Sequence, residues 1–165
     1  MNYYLSLGSN LGDKRRHLAR ALAALEASGV KATRVSAVYR TQPVDFAGQP
    51  WFYNLAVEVR SALRPPELLR LAKQIEKGMG RVPSRKAGPR PIDIDILLAG
   101  SLVIQTRGLT VPHPRLEKRN FVLAPLAEIA PAAVHPVLGR TIAELRAASA
   151  DRSSVRRLRP LSRGR

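Results

Sequence analysis

Two rhythms alternate along this chain, apolar residues at every second position and apolar residues three or four apart. Residues 2–6 follow the first and predict a strand, which runs out into the turn Gly8-Ser9-Asn10-Leu11-Gly12. Residues 13–27 follow the second, with Leu18, Ala21, Leu22 and Leu25 on one helix face and Gly29 marking its end. Strand patterns return at 31–39 and 54–60. Pro65 and Pro66 then open a second helix, whose Leu68, Leu69, Ala72 and Ile75 form a core stripe that closes near Gly78 and Gly80. The alternation is strictest at 92–98. There Ile92, Ile94 and Ile96 lie on one side of a strand, and Asp93 and Asp95 on the other. Two short strand-like runs at 102–104 and 109–111 follow, then a helix over 119–129. The capping box Thr141-Ile142-Ala143-Glu144 opens a last helix.

The order strand, helix, strand, strand, helix, strand predicts an α+β fold, a ferredoxin-like βαββαβ sandwich with an added hairpin and C-terminal helices. With 165 residues the chain has room for one domain with a real core, taken as 1–148. Composition changes the picture at the C-terminal end. From Asp151 onward six arginines face one aspartate, among serine, proline and glycine and without periodicity, so 149–165 is expected to be a basic, disordered tail. The formal net charge of +16 suits a polyanionic partner, whether nucleotide, nucleic acid or membrane surface. No apolar run reaches membrane-spanning length, and the first residues lack a signal peptide's basic start. There is no cysteine, which excludes disulfides, thiolate metal sites and cysteine nucleophiles. A cytoplasmic protein is the expectation.

Candidate chemistry gathers in three groups. Asp93 and Asp95, two residues apart on a strand, hold their Cα atoms about 7 Å apart on one face. That pair suits one or two hard cations such as Mg2+, shared with the phosphates of a nucleotide. Arg81, Arg85, Arg90, His113 and Arg119 form a cationic group in loops beside the acidic strand, and arginine's planar fork suits phosphate oxygens. Thr41, Pro43, Phe52, Asn54 and Phe121 form the third group, two aromatic rings and an amide that could hold a flat heterocycle. Each has a plainer reading: solvated aspartates, surface arginines, an exposed helical carboxylate at Glu76, which sequence alone favours, and core packing, which wins for Phe52 and Phe121 taken alone. The concentration of the cationic residues beside the acidic strand argues for a polyphosphate site. No P-loop, dinucleotide fingerprint or serine nucleophile elbow occurs. Two long, breaker-rich loops, 41–50 and 81–89, are expected to be mobile when empty and to order over ATP.

Several of these segments resemble the 6-hydroxymethyl-7,8-dihydropterin pyrophosphokinase family. They are Leu7-Gly8-Ser9-Asn10-Leu11-Gly12, Tyr39-Arg40-Thr41-Gln42-Pro43, Gly88-Pro89-Arg90-Pro91-Ile92-Asp93-Ile94-Asp95, Val111-Pro112-His113-Pro114-Arg115 and Arg119-Asn120-Phe121. The likeness runs over 2–145. It implies transfer of pyrophosphate from ATP to the hydroxymethyl oxygen of a reduced pterin, releasing AMP, in folate biosynthesis. Asp93 and Asp95 would bind two Mg2+ ions. Glu76, Arg81, Arg90, Asp93, Asp95, Thr110, His113 and Arg119 would bind ATP, and Arg81, Arg90 and Asp95 would be catalytic. Gly8, Thr41, Pro43, Val44, Phe52, Asn54, Asp93 and Phe121 would form the pterin pocket. The resemblance implies small-molecule partners only, and a monomer. Some members carry an aromatic before Gly-Pro-Arg, where this chain has Ala87, and a longer loop there. The alternative from composition is a basic nucleic-acid-binding ferredoxin-like module.

Overall fold

The structure is a computed structural model and describes residues 1–44, 48–80 and 88–162. Strand β1 (Asn2–Ser9) leads into helix α1 (Lys14–Ala27), whose first turn is capped by Asp13 accepting from the Arg16 amide at 3.2 Å. Gly29 takes a φ of 84°, which lets Val30 N–H reach back to the Leu25 carbonyl and end the helix. Strands β2 (Lys31–Val35), β3 (Tyr39–Thr41) and β4 (Phe52–Arg60) follow. Helix α2 (Pro65–Gly78) opens on its two prolines, and strand β5 (Asp93–Ala99) carries both aspartates. A small hairpin, β6 (Ile104–Gln105) and β7 (Thr110–Val111), precedes helices α3 (Asn120–Ile129) and α4 (Ile142–Ala148). In α4 the expected box is made, with Glu144 N–H donating to Thr141 Oγ1 at 3.1 Å. A last strand, β8 (Val155–Arg157), completes the described chain.

The main sheet runs β5-β1-β4-β3-β8, with β2 also on β4, and its pairings are antiparallel. This is the ferredoxin-like order predicted from the elements. Alternate residues serve two layers. Tyr3, Leu5 and Leu7 of β1, Leu55, Val57 and Val59 of β4, and Ile94 and Ile96 of β5 pack under α1 and α2. Ala56 of β4 and Leu97 of β5 turn to the other face, against Val122, Leu123 and Leu126 of α3 and Leu145 of α4.

Two expectations are corrected. The single strand over 31–39 is two strands, because three residues separate Val35 from Tyr39 while two separate their partners Val57 and Asn54. The extra residue makes a bulge, where Ser36 Oγ accepts from the Ala56 amide at 2.9 Å in place of a ladder bond. The tail expected to be disordered carries β8. It pairs with β3 from Tyr39↔Arg157 to Thr41↔Val155, and Leu158 and Leu161 pack against the α1/α2 core. Arg157 Nε donates to Glu128 Oε1 at 3.1 Å, the carboxylate that also takes the Tyr39 hydroxyl at 2.7 Å. Arginines and serines conceal a strand of three residues, too short for alternation to show.

Candidate active site

Strand register assembles the site from distant parts of the chain. Gly8 in β1 stands opposite Asn54 in β4 on one side and Asp93 in β5 on the other. Ser6 stands opposite Ala56 and Asp95, and Thr41 in β3 opposite Phe52. Directly opposed residues share a face. Asp93, Asp95, Ser6, Gly8, Asn54, Phe52 and Thr41 therefore line the α3 side of the sheet, where the start of α3 leaves it uncovered and Arg119 and Phe121 form the opposite wall. The resulting cleft has about 510 Å³ of empty space, its open mouth included.

One wall combines two aromatic rings with a buried amide. Asn54, almost fully buried, donates from Nδ2 to Thr41 Oγ1 at 2.6 Å, which fixes its amide. A side chain at position 8 would drive its Cβ into Asn54 Oδ1, so glycine is required for this close approach. Phe52 and Phe121 each carry a guanidinium over the ring, Arg90 at 5.1 Å and Arg119 at 5.4 Å from the centroids. Aromatic and cationic groups are thus interleaved rather than segregated.

Arg90 is held by its backbone as well as its side chain. Its amide donates to Asn10 Oδ1 at 2.8 Å and its carbonyl accepts from Asn10 N–H at 3.2 Å. Asn10 is fully buried and donates onward to Gln49 Oε1 and the Pro50 carbonyl. One asparagine therefore joins the exit of β1, the 48–50 segment and the Gly-Pro-Arg turn. Arg90 Nε lies 3.5 Å from Asp93 Oδ2, so the cation and the acidic pair meet at the cleft.

Thr110 and His113 line a neighbouring depression with Pro112, His135 and Leu138. Burial pushes the His113 imidazole below its ordinary 6.5, and the Arg119 guanidinium pushes the same way against the opposing pull of Asp93. The ring is accordingly neutral at neutral pH. Its neighbours Arg119 and Asp93 mark it as an extension of the main cleft.

Glu76, whose helical position alone reads as exposed surface, is 7% exposed and accepts from the Ile94 amide at 3.3 Å. Helix α2 places it against β5 at Ile94, the residue between the two aspartates, where it fixes the strand's backbone. Arg81 and Arg85, and most of the loop expected to close over ATP, lie outside the described residues, as do residues 45–47 of the first loop. Ser6, Gln42 and Gln49 line the cleft without having been singled out. Ser6 carried a usable signal, since period two on β1 sets it on the face of Gly8.

Among the described residues no group of three or more His, Cys, Asp or Glu is placed to hold a metal. The paired carboxylates of Asp93 and Asp95 still fit Mg2+, which is commonly held by one or two carboxylates with substrate oxygens completing its shell. Among the described residues no helix is long and apolar enough to cross a membrane.

The chain is similar to known proteins in sequence and in fold. Residues 4–131 match the family model described as 7,8-dihydro-6-hydroxymethylpterin-pyrophosphokinase. The 2-amino-4-hydroxy-6-hydroxymethyldihydropteridine pyrophosphokinase of Bacillus subtilis (strain 168) is 49% identical over 127 residues, 76% of each chain. The protein of that name from Methylorubrum extorquens is 43% identical over 156 residues, 94% of this chain and 97% of the relative. A crystal structure of Plasmodium falciparum HPPK-DHPS with pteroate superposes with a TM-score of 0.71 at 17% identity. The match covers 88% of this chain and 44% of the Plasmodium chain, and at that identity it speaks for the fold.

Proposed function

The chain belongs to the 7,8-dihydro-6-hydroxymethylpterin-pyrophosphokinase family, and from that premise we propose how its cleft performs ATP-dependent pyrophosphoryl transfer. The hydroxymethyl oxygen of a reduced pterin attacks the β-phosphorus of ATP, the bond from that phosphorus to the α,β-bridging oxygen breaks, and AMP leaves. The observation that carries the reading is the convergence of Asp93, Asp95 and Arg90 with Asn54, Phe52 and Phe121 in one cleft.

In this reading the pterin slides between Phe52 and Phe121, and the amide of Asn54, locked by Thr41, reads its polar edge. Gly8 leaves room for the ring, and Pro43 and Val44 close its far side. Positioning of this kind supplies much of the rate of a phosphoryl transfer, because the reacting atoms must lie in line. Arg90 and Arg119, already at the cleft, donate to the triphosphate. Arg81, Thr110, His113 and Glu76 complete the nucleotide set carried over from the family motifs, with Glu76 acting through the β5 backbone. Asp93 and Asp95 would hold Mg2+, two ions in the full site. Bound there, Mg2+ would supply neutralisation of phosphate charge and a more acidic pterin hydroxyl. Asp95 would take up that proton.

ATP and a reduced pterin as partners, a cytoplasmic location and a monomeric state belong to the same reading. The nucleic-acid alternative is not favoured. RNA-binding sandwiches stack bases across an open sheet, whereas here α3 covers part of that face and Asp93 and Asp95 occupy the rest. The test is to incubate the protein with ATP, Mg2+ and 6-hydroxymethyl-7,8-dihydropterin and to separate the nucleotides. AMP formed only with the pterin present is the expected result. ADP would point to γ-phosphoryl transfer, and no turnover would overturn the reading.

A further inference from the structure

Helix α3 begins without a cap of its own. Its N-cap residue, Arg119, makes no side-chain bond to the first turn. The free amide at Asn120 is taken instead by Asp151, from the segment expected to be disordered, whose Oδ2 accepts it at 2.8 Å. Asn120 Nδ2 donates in return to the Asp151 carbonyl at 2.7 Å. The second carboxylate oxygen is occupied by Ser153, through its amide at 2.9 Å and its hydroxyl at 2.6 Å. Burial pushes the Asp151 carboxyl up, but these donors and the nearby Arg119 guanidinium outweigh it and hold the group below the usual carboxylate range.

One residue further on, the same segment grips the other side of the cleft. Gln42 N–H donates to the Ser154 carbonyl at 3.0 Å, and Ser154 N–H donates to Gln42 Oε1 at 3.2 Å. Val155 then pairs with Thr41. Asn120 sits between Arg119 and Phe121, and Gln42 between Thr41 and Pro43, all of them lining the cleft except Asn120 itself. Four consecutive residues, 151–154, therefore tie the α3 wall to the β3 wall.

We propose that this segment is a strap that sets the separation of the two cleft walls, and that Asp151 is the positioning residue for Arg119 and Phe121. Asp151 acts through the Asn120 backbone. Without its bonds the first turn of α3 loses its cap, and Phe121 loses its fixed distance from Phe52. The proposal rests on the pterin reading of the cleft, since it assigns the strap to the slot where the ring is held.

The experiment uses the full-length protein. Binding of 6-hydroxymethylpterin is followed by fluorescence titration, KM and kcat by AMP formation, and stability by thermal unfolding. Asp151→Ala is expected to weaken pterin binding and raise the pterin KM about tenfold, with a smaller change in kcat, the scale of a lost cap felt at a neighbouring contact. Asp151→Asn, which keeps an oxygen for the Asn120 amide, should recover most of the loss. Leu158→Ala loosens the packing of the same segment on the opposite side of the sheet. It should lower the melting temperature without moving pterin affinity. If Asp151→Ala does not fold, Ser153→Ala carries the test, with an expected weakening of about threefold, the low end of the net worth of one hydrogen bond, because Asp151 keeps its bonds to Asn120. Wild-type pterin affinity in the Asp151 or Ser153 variant overturns the strap. So does a loss that tracks melting temperature equally in Leu158→Ala. A wild-type protein that neither binds the pterin nor forms AMP overturns the proposed function itself, and the strap with it.

Discussion

The two faces of β1, β4 and β5 are made from the same stretches of chain and carry opposite burdens. On the α1/α2 face, Leu5, Leu7, Leu55, Val57, Ile94 and Ile96 form an aliphatic layer with almost no exposure. On the other face, Ser6, Gly8, Asn54, Asp93 and Asp95 line a polar cleft. Neighbours in sequence are thus divided between holding the fold and, in the proposed reading, holding the substrate. A mutation one residue along should change which of the two is lost, and that division can be tested.

The sharpest separation is expected at Asp95→Ala. Turnover should fall by about a thousandfold or more, the loss typical of a group that stabilises transition-state charge. Its melting temperature should stay within a few degrees of wild type, because the residue is half-exposed on the cleft face. Retained turnover would remove Asp95 from the machinery. Next comes Leu7→Ala, which empties a fully buried position. It should cost about 2–5 kcal/mol in urea unfolding while the folded fraction keeps its pterin KM. A large KM change would show that the faces are not independent. Gly8→Ala lies on the boundary, where the new Cβ must push Asn54 aside. Pterin affinity should drop by about ten- to a hundredfold, as for a small misplacement of a positioning group, with little change in ATP-analogue binding by calorimetry.

The smallest effect concerns His113. Its folded pKa lies below its ordinary 6.5, so the folded state binds fewer protons than the unfolded state in that window. Stability from this group is present above 6.5 and is lost as pH falls from there toward the lower folded value. The urea midpoint of wild type should therefore fall slightly more between pH 7 and pH 5 than that of His113→Gln. Equal slopes would mean the ring is not held neutral by its surroundings.

Much of this division was legible in the chain. The alternation of Ile92, Ile94 and Ile96 with Asp93 and Asp95 states in five letters which side of β5 is core. The pocket residues from Gly8 to Phe121 stood out through their motifs. What escaped depended on contacts that no local pattern records. Glu76 sits at a helical position that reads as polar surface, and only the packing of α2 beside β5 brings it to the Ile94 amide. The bulge at Ser36 follows from a count of residues on two strands rather than from either strand alone. Ser153, Ser154 and Asp151 have the composition of a loose end, and their partners Asn120 and Gln42 lie about thirty and over a hundred residues away.

Strand β8 also has a bearing on how this protein behaves in concentrated solution. Without it, the outer side of β3 would present unpaired amides and carbonyls, a template on which a second chain could add. β8 occupies that template and carries the exposed Arg156, which on a chain of net charge +16 repels an approaching neighbour. The arginine-rich end is therefore also a stopper against fibre-like stacking. A truncation made to tidy a flexible-looking terminus would be expected to turn a well-dispersed preparation into one that clouds on concentration.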